Sequence, residues 1–276
     1  MVPRFLSTGF KYAEVKGFTD VQALIDAAYA LVATPTDPSS GWTAFTFDGT
    51  NYVSPLTSLR VPQFKFRLTR STQYRLMLTA VSANGNTLGS RGIQIPANAC
   101  DARIFAGDGH FCIDVTCWTA AGEFLWCGTL DSSPDQPDFY GLDLAWVHGS
   151  RRTSDYAREY SGWSYNTMRW GDDAPGNTES IDPHRISGGS NGPRKHLSGA
   201  LIYCPRELMA KVRGDTGTFG TRHWIGRCWQ IILVPDASMI PGSKFYCPID
   251  TGVLAQFYTL AGADSVYSKI AAIRIG

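Results

Sequence analysis

The sequence has 276 residues, of which 43% are hydrophobic and 12% aromatic, and this composition is typical of a folded globular protein. Charged residues make up only 18% and the formal net charge is +1, so the concentrated basic face of a nucleic-acid-binding protein is not expected. No apolar run approaches the roughly 20 residues of a membrane helix, and the N-terminus lacks the apolar segment of a secretory signal. We therefore expect a protein that folds in the cytosol.

The first predicted element is an amphipathic helix over Asp20–Val32. Thr19 and Gln22 have the spacing of a capping box, and Pro35 ends the helix because the residue before a proline avoids helical angles. The apolar residues that recur on one helical face are Val21, Leu24, Ile25, Ala28, Leu31 and Val32.

Three β-hairpins are predicted next, each from an alternating apolar run that is followed by a turn dipeptide. Asp-Gly and Asn-Gly supply the positive φ angles that tight hairpin turns require. The runs begin at Trp42, Gln73 and Phe111, and the turns are Asp48-Gly49, Asn84-Gly85 and Ala121-Gly122. Three successive hairpins predict an antiparallel sheet or a β-sandwich.

The last part of the chain predicts a second short helix and four strands. The helix covers Arg206–Arg213, with Pro205 as its first residue and Gly214 just beyond its end. The strands are Trp224–Val234, Lys244–Cys247, Val253–Tyr258 and Tyr267–Ile275. The predicted fold class is therefore mainly β with two short helices, built as an antiparallel hairpin sheet or a β-sandwich with a long ordered excursion.

The excursion runs from Asp131 to Ser198 and has no apolar rhythm, although loops in compact domains rarely exceed roughly 12–15 residues. We interpret its aromatic residues as contacts between subunits. These residues are Trp146, Tyr156, Tyr160, Trp163, Tyr165 and Trp170. The predicted organisation is a helix and hairpin unit (1–130), a long loop or arm (131–198), and a helix and strand segment (199–276) that completes the same domain.

The seven cysteines are an odd number with no Cys-x-x-Cys pair, so buried free thiols are expected and no metal site is predicted. Cys117 and Cys127 flank one predicted turn. Depending on the register, they form a cross-strand disulfide or are simply two small apolar core residues. His223 and Cys228 could bind a metal with Cys204 or Cys247, but nothing in the spacing fixes that geometry.

Two further groups of residues suggest chemistry. His110 and Cys112 share a strand face if the strand begins at His110, which would suit a base and a nucleophile, whereas a buried thiol beside a loop histidine is the plainer interpretation. Trp163, Trp170 and the nearby Asp172 are residue types of a sugar-binding surface. Neither group of residues indicates a specific reaction.

The helix at Thr19–Val32, the hairpin at Trp42 and the terminal segment Tyr267–Gly276 give an arrangement that resembles virion structural proteins of tailed bacteriophages. The resemblance implies a non-enzymatic subunit of a tail, baseplate, neck or capsid decoration, without a cofactor. It implies a virion location after assembly in the host cytoplasm, with copies of the chain and other virion proteins as partners, and neither nucleic acid nor membrane. Asp131–Ser198 is then expected to bury its surface against other chains.

Two alternative functions remain open at this point. One is a receptor-binding or carbohydrate-binding tail module that uses Trp163 and Trp170. The other is a cysteine-dependent hydrolase, which requires His110 or His223 in contact with a cysteine inside a concave pocket.

Overall fold

The computed structural model describes residues 4–5, 11–33, 42–44, 53–58, 65–81, 87–107, 110–117, 120–129, 145–149, 166–169, 178–183, 204–211, 222–235, 240, 242–250, 252–260 and 269–276. Strands make up 69% of these residues. The prediction of a mainly β chain built from antiparallel hairpins is therefore confirmed, with one helix instead of two in the described part.

The strands are numbered in chain order. They are β1 Arg4–Phe5, β2 Lys11–Phe18, β3 Trp42–Ala44, β4 Val53–Ser58, β5 Lys65–Thr72, β6 Arg75–Val81, β7 Thr87–Gln94, β8 Cys100–Gly107, β9 His110–Cys117, β10 Ala120–Thr129, β11 Ala145–Gly149, β12 Asn166–Arg169, β13 Thr178–Pro183, β14 Cys204–Lys211, β15 Arg222–Pro235, β16 Lys244–Asp250, β17 Val253–Thr259 and β18 Lys269–Arg274. Helix α1, Gln22–Ala33, lies between β2 and β3.

These strands form three sheets. The hairpin sheet has the order β3-β4-β5-β6-β7, and the central sheet has the order β11-β10-β9-β8-β2. The large sheet has the order β1-β17-β18-β15-β14-β13-β12, with β16 paired to β17. The three predicted hairpins correspond to the antiparallel pairs β3–β4, β6–β7 and β9–β10, so the three strand pairings are confirmed. The predicted third turn is wrong, because Ala121-Gly122 lies within β10 and Cys117 already pairs with Ala120. The predicted turns Asp48-Gly49 and Asn84-Gly85 lie outside the described residues.

Helix α1 confirms the predicted amphipathic helix, but its N-terminus is capped by a different residue. The backbone N–H of Gln22 donates to Asp20 Oδ1 at 2.8 Å, and the Gln22 side chain donates to Asp26 instead of reaching back to Thr19. Arg70 of β5 holds the same Asp20 carboxylate through two hydrogen bonds of 2.9 and 2.8 Å. Asp20 therefore caps the helix and ties it to the hairpin sheet.

The main hydrophobic core lies between helix α1, the central sheet and the hairpin sheet. Alternation along each strand supplies one apolar face to this core, because successive side chains point to opposite faces. Its largest contributors are Leu24 and Ile25 from the helix, Phe66, Leu68, Leu76 and Leu78 from the hairpin sheet, and Ile104, Phe111, Ile113 and Leu125 from the central sheet. The large sheet has a smaller core of its own around Ile232 and Phe257.

The prediction of a second helix over Arg206–Arg213 is wrong. Cys204–Lys211 is strand β14, which pairs with β13 on one side and with β15 on the other. Pro205 lies within this strand, opposite Ile232, and does not begin a helix. The ladder hydrogen bonds to two neighbouring strands outweigh the local helix propensity of this segment.

Three strands of the middle stretch pair within the chain. β11 pairs with β10 of the central sheet, β12 pairs with β13, and β13 pairs with β14 of the large sheet. These segments are therefore held by the chain's own sheets. The expectation that Asp131–Ser198 buries its surface against other chains remains a prediction.

Candidate functional site

The central sheet meets the large sheet through a group of aromatic and charged side chains that we call the junction cluster. It consists of Tyr12 and Glu14 of β2, Arg103 and Phe105 of β8, and Tyr258 of β17. Tyr12 lies opposite Phe105 and Glu14 lies opposite Arg103 in the antiparallel register of β2 and β8. Because side chains alternate along a strand, this face is the reverse of the one that enters the main core.

Arg103 connects the two sheets. Its Nη1 donates a hydrogen bond to the Tyr258 hydroxyl, and its guanidinium carbon lies 5.4 Å from the centroid of the Tyr258 ring. Its Nε lies 3.5 Å from Glu14 Oε1, and the Tyr12 hydroxyl donates to the same carboxylate oxygen. One guanidinium thus joins a buried tyrosine to a partly exposed carboxylate.

Three aromatic rings form a continuous row across the junction. The centroids of Tyr12 and Phe105 are 5.3 Å apart with their planes at 47°, and those of Phe105 and Tyr258 are 4.9 Å apart at 45°. Tilted arrangements at these distances are favourable for aromatic pairs. Phe105 and Tyr258 are buried, while Tyr12 at the outer end of the row is 46% exposed.

A turn next to the junction cluster is fixed by Thr259, a fully buried residue. The Thr259 hydroxyl donates to the Ile240 carbonyl at 2.6 Å and accepts the Ser243 N–H at 2.8 Å. Gly242 has a φ of +87°, and a Cβ built there would lie 3.5 Å from Arg103 Nη1. The turn therefore needs glycine for its backbone angle and lies directly against the cluster.

The ionisation states in the cluster are fixed around neutral pH. Burial, reinforced by the neighbouring Glu14, raises the pKa of Tyr12 to about 12. Burial, followed by the negative charge of Asp114, also raises the pKa of Tyr258. The hydrogen bond from Tyr12 lowers the pKa of Glu14. None of these shifts moves a group toward the neutral range that general acid–base catalysis favours.

His110 and Cys112 do share a face of β9, because the strand begins at His110. His110 is buried, and its Nε2 lies 2.9 Å from the Arg274 carbonyl oxygen of the large sheet. Burial, followed by the charge of Asp114, raises the pKa of Cys112 well above its usual value. An attacking thiolate requires the opposite shift, so this pair is better suited to packing between the sheets.

The register contradicts a Cys117–Cys127 disulfide. Cys127 lies opposite Phe111 in the β9–β10 pair, whereas Cys117 lies opposite Ala120. Cys127 is a buried free thiol, and burial raises its pKa. Because Cys117 already pairs with Ala120, the chain reverses before Ala121-Gly122, and this position of the reversal separates the two cysteines.

The predicted aromatic contacts fall largely outside the described part of the chain. Trp146 lies in β11 opposite Gly128, but its side chain is not among the described ones. The positions that lie wholly outside the described residues are Tyr156, Tyr160, Trp163, Tyr165, Trp170 and Asp172. The subunit-contact and sugar-binding interpretations of these residues therefore remain predictions.

The strand register gives the positions of the suggested metal ligands. His223 lies opposite Ala210, Cys228 opposite Arg206, and Cys204 opposite Leu233, all in the β14–β15 pair. Cys247 belongs to β16. Among the residues that the structure describes, no group of three or more His, Cys, Asp or Glu could hold a metal ion. No helix in that part of the chain is long and apolar enough to cross a membrane.

Sequence reasoning missed the junction cluster altogether. Arg103 and Tyr258 are 155 positions apart, and no local motif connects them. The available signal was a glutamate in β2 and an arginine in β8, which indicates a polar contact but not its partner. Comparison of the chain with known protein families and with curated proteins finds no match.

Proposed function

We propose that this chain is a non-enzymatic structural subunit of a viral particle, belonging to the tail, baseplate or neck. In this proposal the central and hairpin sheets are the two layers of a β-sandwich. The partners are copies of the chain and other virion proteins, and assembly takes place in the host cytoplasm. Low charge and abundant aromatic residues support the proposal, because permanent interfaces are depleted in charge and enriched in aromatic side chains.

The observation that carries the proposal is an exposed apolar side chain whose backbone carbonyl accepts a buried hydrogen bond. Ile240 is 76% exposed, although its carbonyl is held by the buried Thr259. Tyr246, a few residues further on in β16, is 52% exposed. A preorganised apolar group loses little conformational entropy on association, so it is suited to anchoring a contact between subunits.

The contact is expected to use side chains and not an extension of the sheet. β16 is the terminal strand beside β17 in the described part of the large sheet. It carries Lys244 and Pro248, and a proline cannot donate a ladder hydrogen bond to an added strand. Ile240 and Tyr246 therefore remain as the contact groups on this side of the sheet.

The test is the mass of the isolated chain in solution, measured by light scattering or sedimentation over roughly 1 to 100 μM. We expect a concentration-dependent oligomer that Ile240→Lys dissociates, because a desolvated lysine cannot occupy an apolar contact. Ser71→Lys is the matched control, since Ser71 is exposed on the β5–β6 hairpin, away from the turn.

Two results would overturn the proposal. One is a chain that remains monomeric over the whole concentration range and gives no closed assembly by negative-stain microscopy. The other is an oligomer that Ile240→Lys and Ser71→Lys weaken equally, because the turn would then not be the contact.

A further inference from the structure

The geometry of the junction cluster points to a second role beyond the proposed structural one: its outer end is a binding site for a neutral hexose oligosaccharide. In this assignment the Tyr12 ring is the stacking platform, and the Glu14–Arg103 pair hydrogen-bonds the sugar hydroxyls. No residue of the turn at Ile240 takes part.

The Tyr12 ring is exposed and held in place. Its hydroxyl donates to Glu14, and its inner side packs on Phe105 at a centroid distance of 5.3 Å. A fixed aromatic ring with one open face suits the apolar C–H face of a hexose, because stacking then orders few protein groups.

Glu14 and Arg103 provide planar hydrogen-bonding groups beside this ring. The Arg103 side chain is 40% exposed and that of Glu14 is 38% exposed. A guanidinium has five N–H donors and a carboxylate about four acceptor positions, more than the contacts among Arg103, Glu14, Tyr12, Tyr258 and Lys16 occupy. Adjacent sugar hydroxyls need a donor and an acceptor side by side, which this ion pair offers.

The balance of charge on this face favours a neutral ligand. Lys16 lies 3.4 Å from Glu14 Oε2, and Arg103 lies next to the same carboxylate. Asp101, two residues before Arg103 on β8, accepts a hydrogen bond from the Gly17 N–H. The buried Asp114 lies opposite Arg103 on β9 of the same face. Among the described residues here, two cations thus face three carboxylates, so a phosphate or carboxylate polymer gains no net attraction, whereas an uncharged sugar is not repelled.

The test is a titration of the isolated chain with cellohexaose, maltohexaose and laminarihexaose, followed by ligand-observed saturation-transfer NMR and calorimetry. We expect at least one of them to bind saturably, with an affinity that Tyr12→Ala weakens at least about fivefold, as loss of a stacking contact of roughly 1 kcal/mol predicts. Tyr12→Phe retains the ring and is expected to retain most of the affinity.

The matched control is Tyr29→Ala, because Tyr29 is a partly exposed tyrosine of helix α1 and belongs neither to the junction cluster nor to the proposed subunit contact. It is expected to leave sugar binding unchanged. The circular dichroism and thermal melting of each variant show whether it is folded. Sugar binding by Ile240→Lys is also measured, so failure of the sugar site and failure of the assembly proposal are separate results.

Three results would overturn the inference. The first is no binding of any of the three oligosaccharides. The second is a loss of binding in Tyr29→Ala as large as that in Tyr12→Ala. The third is a thymidine hexanucleotide that binds more tightly than every neutral sugar, which would assign the site to a phosphate polymer.

Discussion

The two faces of the central sheet are built from the same strands and differ in chemistry: one is apolar, and the other buries Phe105, Phe124 and Trp126 beside polar and charged groups. One face packs Ile104, Phe111 and Ile113 against helix α1 and the hairpin sheet in a continuous apolar core. The other face carries Arg103, Phe105 and His110 toward the large sheet and is held by hydrogen bonds, ring contacts and ion pairs.

The apolar face mainly determines how strongly the sheets are held together, and the polar face mainly determines how specifically they are oriented. The apolar face is stabilised by the apolar area that it removes from water. This area is large, so the stabilisation changes little when the packed surfaces shift slightly. The polar face also buries apolar rings, and it adds a few directed contacts, each contributing about 0.5–1.5 kcal/mol. We therefore expect the first face to dominate stability and the second to determine how the sheets are positioned.

The largest predicted effect comes from two consecutive residues of β8, one on each face. Ile104→Ala is expected to lower the free energy of unfolding by about 2–5 kcal/mol, because Ile104 is fully buried and its truncation leaves a cavity. Arg103→Ala is expected to cost less. Urea denaturation measures both, and an Arg103 variant that is the less stable of the two would reverse the comparison.

The next effect concerns the turn beside the polar face. Thr259→Val is expected to cost about 1–3 kcal/mol, because it removes a buried hydroxyl that contacts Ile240 and Ser243. Thr259→Ser retains the hydroxyl and serves as the control. Hydrogen exchange at the Ser243 amide measures the local opening, and unchanged exchange in the valine variant would contradict this account.

A smaller effect is expected from the backbone of the same turn. Gly242→Ala should cost about 1–2 kcal/mol, because φ at this position is +87° and an L-residue is strained there. Gly242→Asn should cost less, since asparagine tolerates positive φ better. Equal midpoints of thermal unfolding for the two variants would show that crowding against Arg103, and not the backbone angle, determines the cost.

The smallest effect is a pH dependence of stability, which arises from the Asp20–Arg70 pair between helix α1 and the hairpin sheet. The hydrogen bond from Arg70, aided by the Gln22 N–H, lowers the pKa of Asp20 in the folded protein. The contribution of Asp20 to the free energy of unfolding is therefore fully present above its unfolded pKa of about 3.9. It is lost as the pH falls through the lower pKa of the folded protein. Because the pair is partly exposed, its contribution is small and is reduced by salt.

Asp20→Asn is the variant that isolates this contribution. We expect it to flatten the acid limb of stability against pH, measured by denaturation between pH 2 and 6, roughly the range of carboxylate titration. Asp26→Asn is the control, since Asp26 is exposed on the same helix and lies away from Arg70. An equal change in both variants would show that Arg70 does not act on Asp20 specifically.

Much of the β structure could be predicted from the sequence because its signals are local. The run before Asn84-Gly85 alternates clearly, and both strands of that hairpin, β6 and β7, form as expected. Helix α1 was equally clear from its periodic apolar face. Its cap was assigned one residue too early, since the pairing of Asp20 with Arg70 links positions 50 residues apart.

The failures have a common cause, which is dependence on distant partners. β14 contains Glu207, Leu208, Met209 and Ala210, all compatible with a helix, and only its pairing with β13 and β15 makes it a strand. The junction cluster likewise depends on how two sheets pack, which periodicity does not encode. The relation between Cys117 and Cys127 stayed open in the sequence for a similar reason, because it depends on where the hairpin reverses, and Cys117 already pairs with Ala120.

The pairing of β1 has a consequence for how the protein is made. Arg4 and Phe5 pair in parallel with Val253 and Leu254 of β17. During synthesis β1 therefore has no partner until β17 emerges, which happens after every other described strand except β18. The central and hairpin sheets can form meanwhile, because their hairpins are local. Closing a parallel pair over such a distance is slow, and we expect the first strand to remain open to protease on ribosome-bound chains until β17 has emerged.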